Sequence, residues 1–120
     1  MPRFDVVMLG VGPDGHVASL FPGRPELQER VRATLPVSDS PKPPPDRVSL
    51  TIPALNTARA VWLVVSGADK ADAVRQSLAA ASGDGRPDGA DRLPAARVTG
   101  TLETVWWVDE AAAPAGADGG

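Results

Sequence analysis

The 120-residue sequence contains no cysteine and no tyrosine, and it has a single histidine, His16. Without cysteine the chain forms neither disulfide bonds nor thiolate sites, so we expect a reducing compartment, the cytoplasm. No run of about 18 apolar residues occurs, and the first residues lack the apolar core of a signal peptide, so no membrane partner is expected. Clusters of lysine and arginine are also missing and the net charge is −3. Nucleic acid is therefore not expected as a partner.

The composition that remains is typical of one globular domain, with 42% hydrophobic and 22% charged residues. Three apolar runs predict strands, at residues 4–9, 61–65 and 105–108. Continuous runs of this kind are typical of parallel strands that are buried on both faces. Helical patterns lie between them, so the sequence predicts an α/β fold with a mostly parallel open sheet and flanking helices.

Weaker patterns predict the other elements. Short helices are expected at residues 16–21, 25–33, 53–58 and 109–113, and further strands at 35–37 and 47–52. The second of these strands alternates so that Val48, Leu50 and Ile52 face the core. The clearest helix follows a capping-box-like spacing at residues 66–69 and is expected to bury Ala71, Val74 and Leu78. Residues 1–113 form the predicted domain, with a surface loop at 83–92 and a disordered tail at 114–120.

The histidine ends a glycine-rich loop, "GVGPDGH", directly after the first predicted strand. Gly10, Gly12 and Gly15 satisfy the G-x-G-x-x-G pattern of dinucleotide sites. That pattern also needs an uninterrupted helix and an acidic residue at the end of the next strand, and neither is present here. Nicotinamide is therefore not expected. The glycines still allow a ligand close to the backbone, and a helix starting at residue 15 or 16 would offer free N–H groups to an oxyanion.

Three roles stay open for His16 on these residues alone. Its imidazole could take a proton from water near neutral pH, with Asp14 orienting the ring. It could instead bond the backbone at a helix start. A metal site would need several carboxylates at ligand spacing, and none is visible. No serine lies in a nucleophile-elbow sequence, which favours water as the attacking group.

The proline-rich stretch "SPKPPPDR" at residues 40–47 carries two cations, Lys42 and Arg47. A stiff loop presents such side chains with little ordering cost, and two cations bind a phosphate dianion by charge-assisted hydrogen bonds. The alternative is an inert linker with solvated charges.

The stretch "GVGPDGHVASLFPG" resembles the signature of 6-phosphogluconolactonases. Further segments agree with that family in order: "SPKPPPDRVSLTIPALNTARAVWLVVSGADKADAV", "LPAARV" and "VWWVDEAA". The resemblance implies the fold shared with glucosamine-6-phosphate isomerases and ribose-5-phosphate isomerase. It implies hydrolysis of 6-phospho-D-glucono-1,5-lactone to 6-phosphogluconate, a step of the pentose phosphate pathway, with no metal or other cofactor.

The same resemblance implies roles for single residues. His16 is the expected general base, and Asp14 lies beside it. Gly12 and Gly15 are expected to bind substrate, and the basic pair Lys42 and Arg47 to hold its phosphate. The alternative enzyme is a glucosamine-6-phosphate isomerase/deaminase relative. Those deaminases have a related loop, but a different sequence follows their histidine, and they use a second histidine that this chain lacks.

The resemblance covers only the second half of the family's domain, beginning just before a strand expected at the centre of the sheet. One interpretation is a part of a lactonase whose other half completes the site. The other is a truncated phosphosugar-binding domain without turnover. Either would expose a strand edge and apolar sheet faces, which favours self-association.

Overall fold

The computed structural model describes residues 1–80 and 93–113. Five strands lie in these ranges: β1 (Val6–Leu9), β2 (Thr34–Val37), β3 (Arg47–Leu50), β4 (Ala60–Val65) and β5 (Glu103–Val108). The α-helices there are α1 (Ile52–Leu55), α2 (Ala71–Ala79) and α3 (Pro94–Arg97), with 3-10 turns at Pro25–Gln28 and Ala68–Lys70. The predicted loop at 83–92 and the predicted tail at 114–120 both lie wholly outside the described residues.

Three parallel strands form the main sheet, in the order β1–β4–β5. Val7 aligns with Val61, and Val61 aligns with Thr104 of β5. These strands come from the three apolar runs of the sequence, so the prediction of an α/β fold with a mostly parallel sheet is confirmed. Within the described part of the chain β1 pairs only with β4, so its other edge is unpaired there, as expected for part of a larger sheet.

Only one face of this sheet is buried. Val7, Val61 and Leu63 point into the core, where they are 9%, 0% and 0% exposed. The alternate residues of the same strands form an open sheet face of large apolar side chains. Its members are Val6, Met8, Val64 and Trp107, at 45%, 64%, 46% and 53% exposure. The prediction of strands buried on both faces is therefore wrong for the described ranges, although their positions are right.

β2 and β3 form a separate antiparallel pair, in which Leu35 aligns with Ser49. The predicted alternation in β3 is wrong, because Val48 is 74% exposed and Ser49 is 3% exposed. The Ser49 hydroxyl accepts the Ser19 N–H at 3.1 Å and donates to the Leu50 carbonyl at 2.8 Å. A polar residue whose hydrogen bonds are made can face the interior, so the alternation of polarity misleads here.

Three predicted helices are shorter than expected or absent. The segment after His16 forms a tight turn closed by a Val17–Leu20 bridge, with Ala18 at φ 51°. A left-handed residue cannot belong to an α-helix, so the helix predicted at 16–21 is wrong. The one predicted at 25–33 reduces to the 3-10 turn Pro25–Gln28. Residues 109–113 form a single turn rather than a helix.

α1 and α2 lie where the sequence predicts them, with differences in detail, whereas α3 was not predicted. α1 begins at Ile52, with Pro53 in its first turn. No side-chain cap precedes α2, so the capping box predicted at residues 66–69 is wrong. The buried stripe of α2 consists of Ala73, Val74 and Ser77, and only Val74 belongs to the predicted set.

Candidate active site

The glycine loop leaves the carboxyl end of β1 and closes into a compact turn. The Gly12 N–H donates to the His16 carbonyl at 3.0 Å, and the Gly15 N–H donates to the Gly12 carbonyl at 2.9 Å. Gly15 adopts φ +86°, a conformation that side chains disfavour. Ligands of α/β sheets bind outside the carboxyl ends of their strands, and this loop places His16 there.

His16 and Asp14 contact each other within this turn. Nδ1 of His16 lies 2.6 Å from Oδ1 of Asp14, and the same oxygen accepts the His16 backbone N–H at 3.1 Å. The His16 side chain is 14% exposed and that of Asp14 is 41% exposed. Because Nδ1 faces the carboxylate, Nε2 is the ring nitrogen left for a substrate or water; it makes no hydrogen bond to any described residue.

The carboxyl of Asp14 is held in its charged form. Partial burial acts to raise its pKa, but hydrogen bonds from the His16 side chain and backbone, together with the charge of His16, outweigh burial. The pKa of Asp14 therefore lies below its ordinary value of 3.8. A carboxylate at this position can orient an imidazole and stabilise its protonated form.

Both loop glycines that were predicted to bind substrate have a structural reason to be glycine. A Cβ on Gly12 would lie 2.1 Å from Nδ1 of His16, so the imidazole occupies the space that a side chain would need. A Cβ on Gly15 would lie 2.6 Å from the Leu93 side chain, and the Gly15 carbonyl accepts the Ala95 N–H at 3.0 Å. Their contact with substrate stays a prediction.

Phe21 joins the histidine to the proline-rich loop. Its ring centroid lies 4.5 Å from that of His16, and the Arg47 guanidinium carbon lies 5.7 Å from the same ring centroid. Phe21 is 1% exposed. Sequence reasoning did not single out this residue, although it is one of only two phenylalanines and lies five positions after the histidine.

Most hydrogen bonds of the Arg47 guanidinium go to backbone carbonyls of its own loop. Its guanidinium donates to the carbonyls of Lys42, Pro43 and Pro44 at 2.9, 2.7 and 3.0 Å. A longer contact of 3.4 Å reaches the Ser19 hydroxyl. Lys42 is exposed, and its ammonium has no partner among the residues that the structure describes. Arg47 therefore shapes the loop, and Lys42 is its free cation.

The predicted helix N-terminus at residues 15 and 16 is not formed, so it supplies no set of free N–H groups. The N–H of His16 bonds Asp14 instead. In the described ranges no group of three or more histidine or acidic side chains is placed to hold a metal ion. No helix described by the structure is long and apolar enough to cross a membrane.

A sequence profile of the family described as glucosamine-6-phosphate isomerases/6-phosphogluconolactonase matches residues 1–110. The chain belongs to this family. It is 50% identical over 113 residues to a 6-phosphogluconolactonase of Streptomyces coelicolor, covering 94% of this chain and 41% of that protein. It is also 50% identical over 116 residues to the 6-phosphogluconolactonase of Homo sapiens, covering 94% of this chain and 42% of that one. The family resemblance predicted from the sequence is confirmed.

Solved structures agree with this assignment. A 6-phosphogluconolactonase from Thermotoga maritima superposes with a TM-score of 0.73 at 35% identity, covering 90% of this chain and 44% of that one. A monomeric glucosamine-6-phosphate deaminase gives a TM-score of 0.64 at 21% identity, which shows a shared fold. The chain thus spans about two fifths of the length of the curated relatives it matches. It spans 44% and 46% of the two solved structures.

Proposed function

We propose that this chain carries the histidine-bearing part of a 6-phosphogluconolactonase, which hydrolyses 6-phospho-D-glucono-1,5-lactone to 6-phosphogluconate in the cytoplasm. The observation that carries the proposal is the Asp14–His16 pair beyond the carboxyl end of β1. It lies in a chain that is half identical to proteins of that name.

In this proposal His16 is the general base. Asp14 bonds Nδ1, so Nε2 takes a proton from a water molecule as its oxygen attacks the lactone carbonyl carbon. The tetrahedral intermediate then expels the ring oxygen, breaking the bond between that oxygen and the carbonyl carbon. His16 returns its proton to the departing oxygen, which becomes a hydroxyl, and the carbonyl carbon becomes the carboxyl of the product.

The substrate phosphate is assigned to Lys42, with Arg47 supporting it. Three loop carbonyls accept hydrogen bonds from the Arg47 guanidinium, so this side chain holds the backbone that presents Lys42. The Phe21 ring, in contact with both His16 and Arg47, ties the loop to the base. Packing of this kind restricts the loop relative to the base, which would lower the ordering cost of binding.

The rest of the family's domain is proposed to complete the site and to cover the open sheet face. A second candidate, a phosphosugar-binding domain without turnover, is favoured by the exposure of that face and of Lys42. One measurement bears on both candidates.

The chain alone is expected to hydrolyse the lactone weakly or not at all. Full activity of the purified 120-residue protein would show that the rest of the family's domain is not needed.

The experiment that tests the base uses a complete domain, made by joining this chain to the remainder of the Streptomyces coelicolor relative. His16→Ala is expected to lower kcat by about 10²-fold or more, because a general base contributes at least that much. Formation of 6-phosphogluconate is followed above the rate of spontaneous lactone opening. Asp14→Asn is the comparison variant and is expected to lower kcat less than His16→Ala does. An unchanged kcat in His16→Ala would remove this residue from the mechanism.

A second experiment tests the phosphate assignment. Lys42→Ala is expected to raise KM for the phosphorylated lactone about tenfold, the scale of one charge-assisted hydrogen bond. KM for the unphosphorylated D-glucono-1,5-lactone should change little. Arg75→Ala, which removes an exposed positive charge from α2, is the matched control. Equal effects of Lys42→Ala on both lactones would refute a phosphate contact.

A further inference from the structure

A cavity lined by three arginines has no lining residue in common with the glycine loop at residues 10–16. It encloses about 500 Å³, and Arg24, Arg30 and Arg97 line it. A smaller cavity of about 270 Å³ shares Arg30 and Arg97 and adds Asn56 and Glu29, whose carboxylate accepts backbone N–H groups. None of the residues proposed for lactone hydrolysis lines either cavity. We call the two together the arginine cavity.

The three guanidinium groups are not equivalent. That of Arg24 donates to the Glu26 carboxylate at 3.3 Å and to the backbone carbonyls of Ser38 and Asp39. Those of Arg30 and Arg97 have no hydrogen-bond acceptor within residues 1–80 and 93–113. Two of the three arginines therefore have unused donors facing the cavity.

Both unpartnered arginines are carried on backbone that neighbouring side chains hold in place. The Asn56 amide donates to the Arg97 carbonyl at 3.1 Å and accepts the Thr99 N–H at 2.9 Å. The Glu29 carboxylate accepts the N–H groups of Val31 and Arg32 at 3.0 and 2.9 Å, which fixes the turn that follows Arg30. A ligand would meet two donors whose backbone needs little further ordering.

The two charges also disfavour each other. Partial burial lowers the pKa of Arg97, and the positive charge of nearby Arg30 lowers it further. A guanidinium that is partly removed from water, and that faces a like charge, is stabilised by any anion that binds between them.

We propose that the arginine cavity binds the phosphate group of a small phosphorylated molecule, held between Arg30 and Arg97. Guanidinium groups match the oxygen geometry of phosphate and bond it with two parallel N–H donors each. The larger cavity has room for a substituent beyond the phosphate. The assignment does not depend on the proposed lactonase activity, since it uses different residues.

The test is a titration of the 120-residue protein with inorganic phosphate, followed in proton–nitrogen correlation NMR spectra at constant ionic strength. Saturable shifts are expected at the Arg97 and Thr99 amides and at the Arg30 side chain. Arg30→Ala and Arg97→Ala should each weaken binding about tenfold or more, the loss of one charge-assisted pair. Arg97→Lys keeps the charge but loses the paired donors, and should weaken binding less than Arg97→Ala.

Two control variants make the result specific. Arg32→Ala removes the same charge two residues from Arg30, outside the arginine cavity, and should leave the affinity unchanged. Lys42→Ala should leave the Arg97 shifts unchanged, which separates this site from the proposed lactone phosphate site. A parallel titration with 6-phosphogluconate compares free phosphate with a phosphorylated sugar acid, and tighter binding of the latter would support a metabolite ligand. Shifts that do not saturate, or that Arg32→Ala weakens equally, would overturn the proposal.

Discussion

The imidazole of His16 lies where the side chain of residue 12 would be. An added Cβ at Gly12 would approach Nδ1 to 2.1 Å and Oδ1 of Asp14 to 2.9 Å. Both members of the pair would have to move, and neither is the free end of a long flexible chain. Glycine at this position is thus a condition for the Asp14–His16 contact, apart from any contact with substrate.

We expect Gly12→Ala to lower kcat of the complete domain about 10²-fold, since a displacement of about 1 Å in a reacting group costs that much. Substrate affinity should change little if the phosphate is held by Lys42. Gly10→Ala is the matched control, because a Cβ there meets no atom within 4 Å. Steady-state kinetics on the phosphorylated lactone gives both values. Full activity in Gly12→Ala would mean that the ring works from another position.

At this scale the sequence predicts contacts between near neighbours and misses distant ones. Asp14 and His16 are two residues apart, so their pairing in a tight turn could be anticipated. Phe21 and Arg47 meet across 26 positions, and only the folded chain brings them together. The carbonyls that occupy the Arg47 guanidinium likewise depend on the path of the proline-rich loop, which residue types alone do not fix.

Among the elements, α1 depends on one buried hydroxyl. The Thr51 hydroxyl accepts the Ala54 N–H at 3.2 Å, as an N-cap does, and donates to the Arg32 carbonyl at 2.6 Å. Thr51 is 0% exposed, so water cannot replace either bond. The residue joins the start of α1 to the segment that enters β2.

Thr51→Ala is expected to lower the free energy of unfolding by about 1–2 kcal/mol, the usual cost of losing a buried cap. Thr51→Ser keeps both hydrogen bonds and should lose less. Thr101→Ala, at an exposed threonine, is the control and should be nearly neutral. Urea unfolding followed by circular dichroism measures all three. Equal stability of Thr51→Ala and the parent chain would show that the cap contributes nothing.

The sequence predicts where the strands lie more reliably than which of their side chains are buried. The apolar runs give β1, β4 and β5 because a strand buried on even one face concentrates apolar residues. The face of β3 is misjudged because Ser49, a polar residue, makes its hydrogen bonds inside. The turn after His16 is mistaken for a helix because its residues suit a helix, whereas the left-handed Ala18 is set by the Val17–Leu20 bridge.

For the molecule as a whole, the decisive feature is the open sheet face beside the unpaired edge of β1. Trp107 packs edge-on against Trp62 there, with ring centroids 5.9 Å apart, yet stays 53% exposed. The sequence resemblance anticipated exposed apolar surface and a free strand edge, and the described residues have both. Apolar patches next to a free edge promote association between copies.

We expect the purified chain to self-associate, and Met8→Lys combined with Val64→Lys to raise the dissociation constant about tenfold or more by removing apolar contact area and adding repulsion. Val31→Lys combined with Val48→Lys adds the same charge at two other exposed valines and should have little effect. Sedimentation velocity over a range of concentrations measures both. A parent chain that stays monomeric at high concentration would contradict the expectation.

The Asp14–His16 contact has a consequence for how such a site is inherited. Every hydrogen bond that forms it lies between positions 12 and 16, so five consecutive codons encode the entire dyad. A gene fission or fusion with its junction outside these codons passes the dyad on undivided. A laboratory graft of this short peptide onto another strand end would transfer both partners at once.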